Sequence, residues 1–134
     1  IDGINFTDAA ANTTPTTMME YGIGLFKLSA SDGARNNIIK NCSITLNRNN
    51  TTTAGSIIPE GSNGIVVLNA TSTVPNVLAA GGAVGANSNN KFYSNTISNC
   101  YNGIVLAGFA AAIALGAVAV AAGRRVCGPG SPPA

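Results

Sequence analysis

The chain has 134 residues, and only 9% of them are charged, against about a quarter in an average soluble domain. It is long enough for one small domain, and the composition is dominated by Asn, Thr, Ser, Gly and Ala. The chain contains no His, which excludes Ser-His and Cys-His nucleophile pairs, and its formal net charge of +2 leaves no basic patch for nucleic acid in residues 1–106.

The first elements in chain order are two predicted strands. Ile1–Thr7 and Tyr21–Leu28 are rich in Ile, Phe and Leu, as strands commonly are. The Ala/Thr/Asn-rich segment between them, 8–19, contains Pro15 and predicts a loop. The chain opens within this pattern and shows no signal peptide, so we expect it to be a piece of a longer sequence.

The strongest signal is a repeat within the sequence. Asn36–Ile44 aligns without a gap with Asn89–Ile97, and Asn63–Val66 recurs as Asn102–Val105. Polar and single apolar residues alternate in these segments, which is typical of half-buried strands. Gly-Ile pairs begin at positions 3, 22, 64 and 103, and their spacings of 19, 42 and 39 predict a unit of roughly 20 residues. Such a unit is buried only by its neighbours in a stack.

These motifs resemble a known family. NNxIxNCxI, NNxFxSNTI and NGIVxL resemble the rungs of right-handed parallel β-helices of the pectate-lyase-like superfamily. More narrowly, they resemble Asn/Thr-rich rungs in large secreted surface proteins of Bacteroidetes-type bacteria. The resemblance covers residues 1–109 and implies an all-β fold, a fragment of about five β-helix rungs. Rungs of this type occur in lyases, adhesins and spike proteins alike, so the resemblance implies an architecture rather than one activity.

The β-helix architecture assigns roles to two sets of residues. Equivalent residues stack about 4.8 Å apart, so Asn side chains can form hydrogen-bonded ladders, and Asn and Gly tolerate the left-handed backbone of corners. The candidate turn or ladder positions are Asn41, Asn63, Gly64, Asn95, Asn102 and Gly103. The candidate interior column consists of Ile39, Ile44, Ile65, Phe92, Ile97 and Ile104.

Residues 110–134 do not continue the repeat. This segment is first apolar and rich in Ala and Gly, then rich in Gly and Pro, and it contains no Asn or Thr. The uncharged run 104–123 has the length of a membrane span, but it is mostly Ala and Gly, so membrane contact is the least favoured interpretation. The other two are a helical cap on the open end of the stack and sequence read from a shifted or foreign frame.

Catalytic and metal-binding patterns are missing from the sequence. Lyases of the similar superfamily need a carboxylate cluster for calcium and an Arg or Lys base, and glycoside hydrolases need two facing carboxylates. No two carboxylates here pair on a predicted strand. The three cysteines lack CxxC spacing and a His partner, which predicts no zinc site. We therefore expect no enzymatic activity, no cofactor and no metal.

The expected role is a non-catalytic structural or adhesive segment of a secreted or cell-surface β-helix protein, with carbohydrate as a candidate ligand. An open stack exposes unpaired strand edges, so we also expect self-association through its ends. Two alternatives stay open at this point. One is a fragment of a polysaccharide lyase or hydrolase whose catalytic rungs lie elsewhere, and the other is a small tail-anchored membrane protein.

Overall fold

A computed structural model describes residues 1–50, 58–73 and 77–107 of the chain. Within these ranges the chain forms short strands and a single turn of 3₁₀ helix, Ala83–Gly85, so the all-β prediction is confirmed there. The predicted tail, 110–134, lies outside the described residues, as does most of the apolar run 104–123. No helix in the described part is long and apolar enough to cross a membrane. The strands are β1 (Asn5–Thr7), β2 (Tyr21–Leu25), β3 (Ile38–Lys40), β4 (Ser43–Thr45), β5 (Asn63–Val67), β6 (Lys91–Tyr93), β7 (Thr96–Ser98) and β8 (Asn102–Leu106).

These strands form three short parallel sheets. Sheet A contains β3 and β6, and a parallel bridge from Asp2 to Lys40 extends it. Sheet B has the order β1-β4-β7, and sheet C has the order β2-β5-β8. The chain therefore meets sheets A, B and C in the same order three times. We call these the first pass (Asp2, β1, β2), the second pass (β3, β4, β5) and the third pass (β6, β7, β8).

The segments that repeat in sequence are neighbours in the sheets. Ile39 pairs with Phe92 in sheet A, and Ile44 pairs with Ile97 in sheet B. The ungapped alignment of 36–44 with 89–97 sets the same residues opposite each other, so the structure confirms that alignment. The offset of 53 residues is the same in sheets A and B because the corner between β3 and β4 is as long as the corner between β6 and β7.

Three of the four Gly-Ile pairs lie in sheet C, whereas Gly3-Ile4 precedes β1, and the unit length predicted from their spacings is wrong. Ile23 pairs with Ile65 in this sheet, and Ile65 pairs in turn with Ile104. Each of these two intervals holds one complete pass of three strands with its insertions, rather than two of the short predicted units. The described ranges accordingly contain three passes, fewer than the sequence predicted.

The hydrophobic core lies between the three sheets. Ile39, Ile44 and Ile65 are fully buried there, one from each strand of the second pass. Phe92 and Ile97 of the third pass are partly buried and pack against this cluster. Burying one such side chain contributes about 1.5–3 kcal/mol, so the second pass holds the largest share of the apolar stabilisation.

Candidate functional site

The first feature is a side-chain ladder at the start of sheet C. Asn102 Nδ2 donates to Asn63 Oδ1 at 2.9 Å, which joins the third pass to the second. The Nδ2 of the fully buried Asn63 lies 3.2 Å from the carbonyl oxygen of Glu20 in the first pass. It also lies 2.9 Å and 2.8 Å from the carbonyl oxygens of Pro59 and Gly61. Asn63 therefore ties all three passes together at one corner.

Asn95 makes a different contact, which joins a side chain to the backbone. Its Oδ1 accepts the backbone N–H of Cys42 at 3.0 Å, and its Nδ2 donates to the carbonyl of Ile39 at 2.9 Å. Cys42 lies in the corner between β3 and β4, and Ile39 lies in β3 just before that corner. The amide satisfies two groups that would be costly to leave unpaired near the core.

Three asparagines of the third pass repeat this arrangement, and the sequence analysis did not single them out. Each makes a hydrogen bond to a backbone group 53 residues earlier. The ungapped alignment contained the signal only for Asn90, which it set opposite Asn37, because Asn87 and Asn99 lie outside the aligned segment 89–97. The contacts are Asn87 Oδ1 with Ala34 N–H at 2.9 Å, Asn90 Oδ1 with Asn37 N–H at 3.0 Å, and Asn99 Nδ2 with the Leu46 carbonyl at 2.7 Å.

We call Asn87, Asn90, Asn95 and Asn99 the asparagine caps. All four lie in the third pass or in the segment leading into it, and all four satisfy backbone groups of residues 34–46. Asn69 is oriented the other way, because its Nδ2 donates to the carbonyl of Ala107 at 2.9 Å. The caps thus have a direction, with the later pass supplying the side chains and the earlier pass supplying the backbone.

The corners use left-handed backbone at non-glycine residues. Asn41 has a φ of 55° there, and its Nδ2 donates to Asp2 Oδ1 at 2.7 Å. Asn tolerates this conformation better than most residues because its short amide can bond locally. The other described non-glycine residues with positive φ are Asn36, Asn89, Ser94 and Asn99.

Gly64 and Gly103 lie within β5 and β8 rather than at left-handed corners. A Cβ on Gly64 would lie 2.5 Å from Ile97 Cγ2 and 2.5 Å from the Gly103 carbonyl oxygen. Gly64 is therefore required for the close approach of sheets B and C. A Cβ on Gly103 would meet nothing within 4 Å, because no pass lies beyond β8 in the described structure.

The outer surface of sheet B is an uncharged array, which we call the hydroxyl face. Its residues flank the inward Phe6, Ile44 and Ile97, and successive strands place them about 4.8 Å apart. The hydroxyls of Thr45 and Ser98 are 2.9 Å apart and hydrogen-bonded. The face has two rows, one of Asn5, Ser43 and Thr96 and the other of Thr7, Thr45 and Ser98.

The outer surface of sheet A is charged instead. Lys40 Nζ lies 3.2 Å from Asp2 Oδ2, and Lys91 is exposed on the neighbouring strand, opposite Ile38. The hydrogen bond from Asn41, followed by that from Lys40, holds the pKa of Asp2 below its usual value, and Asp2 in turn raises the pKa of Lys40. Because both groups are exposed, this pair contributes little to stability.

Within residues 1–50, 58–73 and 77–107, nothing covers the side of the third pass that faces away from the second pass. Ile104 and Leu106 are 40% and 50% exposed, although Ile65, the neighbour of Ile104, is fully buried. A cavity of about 200 Å³ opens here between sheets A and C, lined by Val67, Asn90, Phe92 and Leu106 among others. No described residue closes the apolar interior on this side.

The described residues include acidic, thiol and amine side chains that were candidates for chemistry. They contain no group of three or more His, Cys, Asp or Glu that could hold a metal ion. Cys42 and Cys100 are buried, and each thiol donates to a backbone carbonyl at 3.2 Å, as a small core residue would. Lys27 is also buried, and burial lowers its pKa.

Comparisons with known proteins found no matching family model, no matching curated protein and no matching solved structure.

Proposed function

We propose that this chain is part of a right-handed parallel β-helix and serves as a non-catalytic structural or adhesive segment of a secreted or cell-surface protein. Three features support the architecture: the repeated order of the sheets, their in-register parallel pairing, and the side-chain contacts between passes. Parallel strands joined by crossovers within one sheet are right-handed in nearly all proteins, which gives the hand.

The adhesive surface that we propose is the hydroxyl face, and its ligand class is neutral polysaccharide. The observation that carries this assignment is the uncharged two-row array on the outside of sheet B. Hydroxyl and amide groups both donate and accept hydrogen bonds, as sugar hydroxyls do. Because the side chains are held on paired strands, little conformational entropy is lost when a ligand binds. The charged outer surface of sheet A lacks this match.

Binding to a panel of neutral insoluble polysaccharides, with cellulose and chitin among them, tests this assignment. Thr7→Glu and Thr96→Glu each place a charge in one row of the hydroxyl face, at positions exposed enough to tolerate it. We expect each substitution to weaken retention several-fold, because a carboxylate adds a desolvation cost and removes a hydroxyl donor. Lys91→Glu on sheet A is the matched control and should bind like the unmodified chain.

Equal retention of all three variants would show that the hydroxyl face does not make the contact. If the unmodified chain binds no polysaccharide in the panel, the adhesive role is wrong and the structural role is what is left.

A further inference from the structure

We propose that the open side of the third pass binds a further parallel strand pass that carries asparagines at the spacing of the asparagine caps. The site consists of the edges of β6, β7 and β8 that have no strand partner among the described residues, together with the cavity between sheets A and C. The partner is a polypeptide segment, and its chemistry is defined by the contacts that the third pass itself makes on the second. This inference rests on the β-helix architecture proposed above.

The first step is the hydrogen-bonding pattern of the corners. In the second pass, asparagine caps satisfy the N–H groups of Asn37 and Cys42. The equivalent groups of the third pass are the N–H groups of Asn90 and Asn95. Neither has a hydrogen-bond acceptor among the described residues. A pass that repeats the pattern would supply Asn oxygens to both groups.

The second step is the apolar interior. Phe92 and Ile97 cover Ile39 and Ile44 of the second pass, and each follows a cap by two residues, Asn90 and Asn95 respectively. Nothing equivalent covers Phe92 on the cavity side in the described structure, and the cavity of about 200 Å³ has room for an apolar side chain. The partner should therefore carry an apolar residue two positions after each of its first two asparagines.

The third step excludes the first pass of a second copy as the preferred occupant. The register that pairs Asn5 with Ser43 sets Ile4 opposite Cys42, the position that Asn95 occupies in the third pass. Tyr21 likewise occupies the position of Asn63 and Asn102. A head-to-tail neighbour would thus lack the amides that the open corners need. Residues 108–134 contain no Asn, so they lack them as well.

The test uses a labelled synthetic peptide with the sequence of residues 87–107, titrated with the full chain and followed by fluorescence anisotropy. We expect saturable binding and slower hydrogen exchange at the amides of Asn90 and Asn95. A control peptide with Ala in place of Asn90, Asn95 and Asn99 should bind more than tenfold more weakly, since several hydrogen bonds to the open corners are lost. A peptide with the sequence of residues 1–25 should bind as weakly as the control.

Binding of the control peptide as tightly as the original overturns the proposal, and so does equal binding of the peptide 1–25. A free peptide loses much conformational freedom on binding, so a tethered version provides the second measurement. In it, residues 68–107 are duplicated directly after Ala107 of the full chain. If neither the free nor the tethered pass protects the amides of Asn90 and Asn95, the proposal is wrong.

These outcomes are separate from failure of the β-helix architecture. The amides of Asn37 and Cys42 are capped in the free chain, and we expect them to exchange slowly without any peptide. Rapid exchange at both would contradict the architecture itself. Slow exchange there, combined with no effect of the added pass, would contradict only the partner proposed for the open side.

Discussion

The second and third passes carry nearly the same sequence in sheet C, yet their burial differs. β5 has the sequence NGIVV and is buried along its whole length, whereas β8 has the sequence NGIVL and is partly exposed throughout. Ile65 is fully buried, and its equivalent Ile104 is 40% exposed. The cause is position, because β5 lies between two strands, whereas β8 has one strand neighbour in the part of the chain that the structure describes. Burial in this molecule is supplied by the adjacent pass and not by the motif.

The same comparison provides matched pairs of substitutions. Each pair changes the same residue type in the same motif, so local strand propensity largely cancels between the two variants. What is left is the contribution of the adjacent pass. If position in the stack is the cause, each member of the second pass should be more sensitive than its equivalent in the third.

The largest difference is expected for the interior isoleucines. Ile65→Ala should lower the free energy of unfolding by about 2–5 kcal/mol, because it opens a cavity in the closed part of the core. Ile104→Ala removes a side chain that is already partly in water, so we expect a loss of about 1 kcal/mol. Urea unfolding followed by circular dichroism measures both. Equal losses would mean that the open side is covered in solution.

The strand glycines should show the next largest difference. Gly64→Ala forces a Cβ against Ile97 and the Gly103 carbonyl, and overpacking of this kind costs about 1–3 kcal/mol. Gly103→Ala meets no atom within 4 Å and should change the free energy of unfolding by less than about 1 kcal/mol. The same unfolding experiment applies. A strongly destabilising Gly103→Ala would indicate that a further pass occupies the open side in solution.

The ladder asparagines are the third pair. Asn63→Ala leaves three carbonyls, one of them in a buried bond, and the Asn102 amide without their partner, at a cost of about 1–3 kcal/mol. Asn102→Ala removes bonds to Asn63 and to the exposed Glu60 carbonyl, which water replaces, and should cost about 0.5–1.5 kcal/mol. Thermal unfolding of both variants and of the unmodified chain shows which of the two substitutions is the more destabilising. A reversed order would contradict the difference in burial.

The repeat in the sequence predicted which strands pair and in what register, because pairing between equivalent passes preserves alignment. It did not predict the length of a pass. Asn5 pairs with Ser43, and Ser43 pairs in turn with Thr96, so the second offset in sheet B is longer than the first. Insertions of different size between equivalent strands cause this difference. The Gly-Ile spacings of 42 and 39 happen to be near multiples of the shortest spacing, 19, and so they indicated a shorter unit.

The role of individual polar residues was harder to predict than the register. Alternation identifies Asn87, Asn90 and Asn99 only as polar, and their function depends on backbone groups 53 residues away. Gly64 is similar, because its requirement comes from Ile97 in another sheet. Such contacts become predictable only after the passes have been stacked in their register. A sequence period alone does not supply this information.

The smallest predicted effect lies at the opposite side of the stack, where Asp2 meets the second pass. The hydrogen bond from Asn41 is the largest cause of its lowered pKa, so Asn41→Gly should raise the pKa of Asp2 while keeping the left-handed corner. A carboxyl group whose pKa is lower in the folded than in the unfolded chain stabilises the folded state at pH values above its unfolded pKa of about 4. This stabilisation disappears as the pH falls through the pKa of the folded state. The variant should therefore lose less stability on acidification.

Carboxyl chemical shifts of Asp2, followed by NMR through the acid range, measure the pKa directly. Lys40→Met is the companion variant, and it should also raise the pKa of Asp2, since it removes both the hydrogen bond and the coulombic attraction of Lys40. Added salt should shrink the effect of Lys40→Met, because the pair is exposed and screened, and should change that of Asn41→Gly much less. The reverse salt dependence would assign the shift to the ion pair. Asn41 would then contribute to this edge only through its left-handed backbone conformation, whereas the asparagine caps of the third pass contribute through side-chain hydrogen bonds.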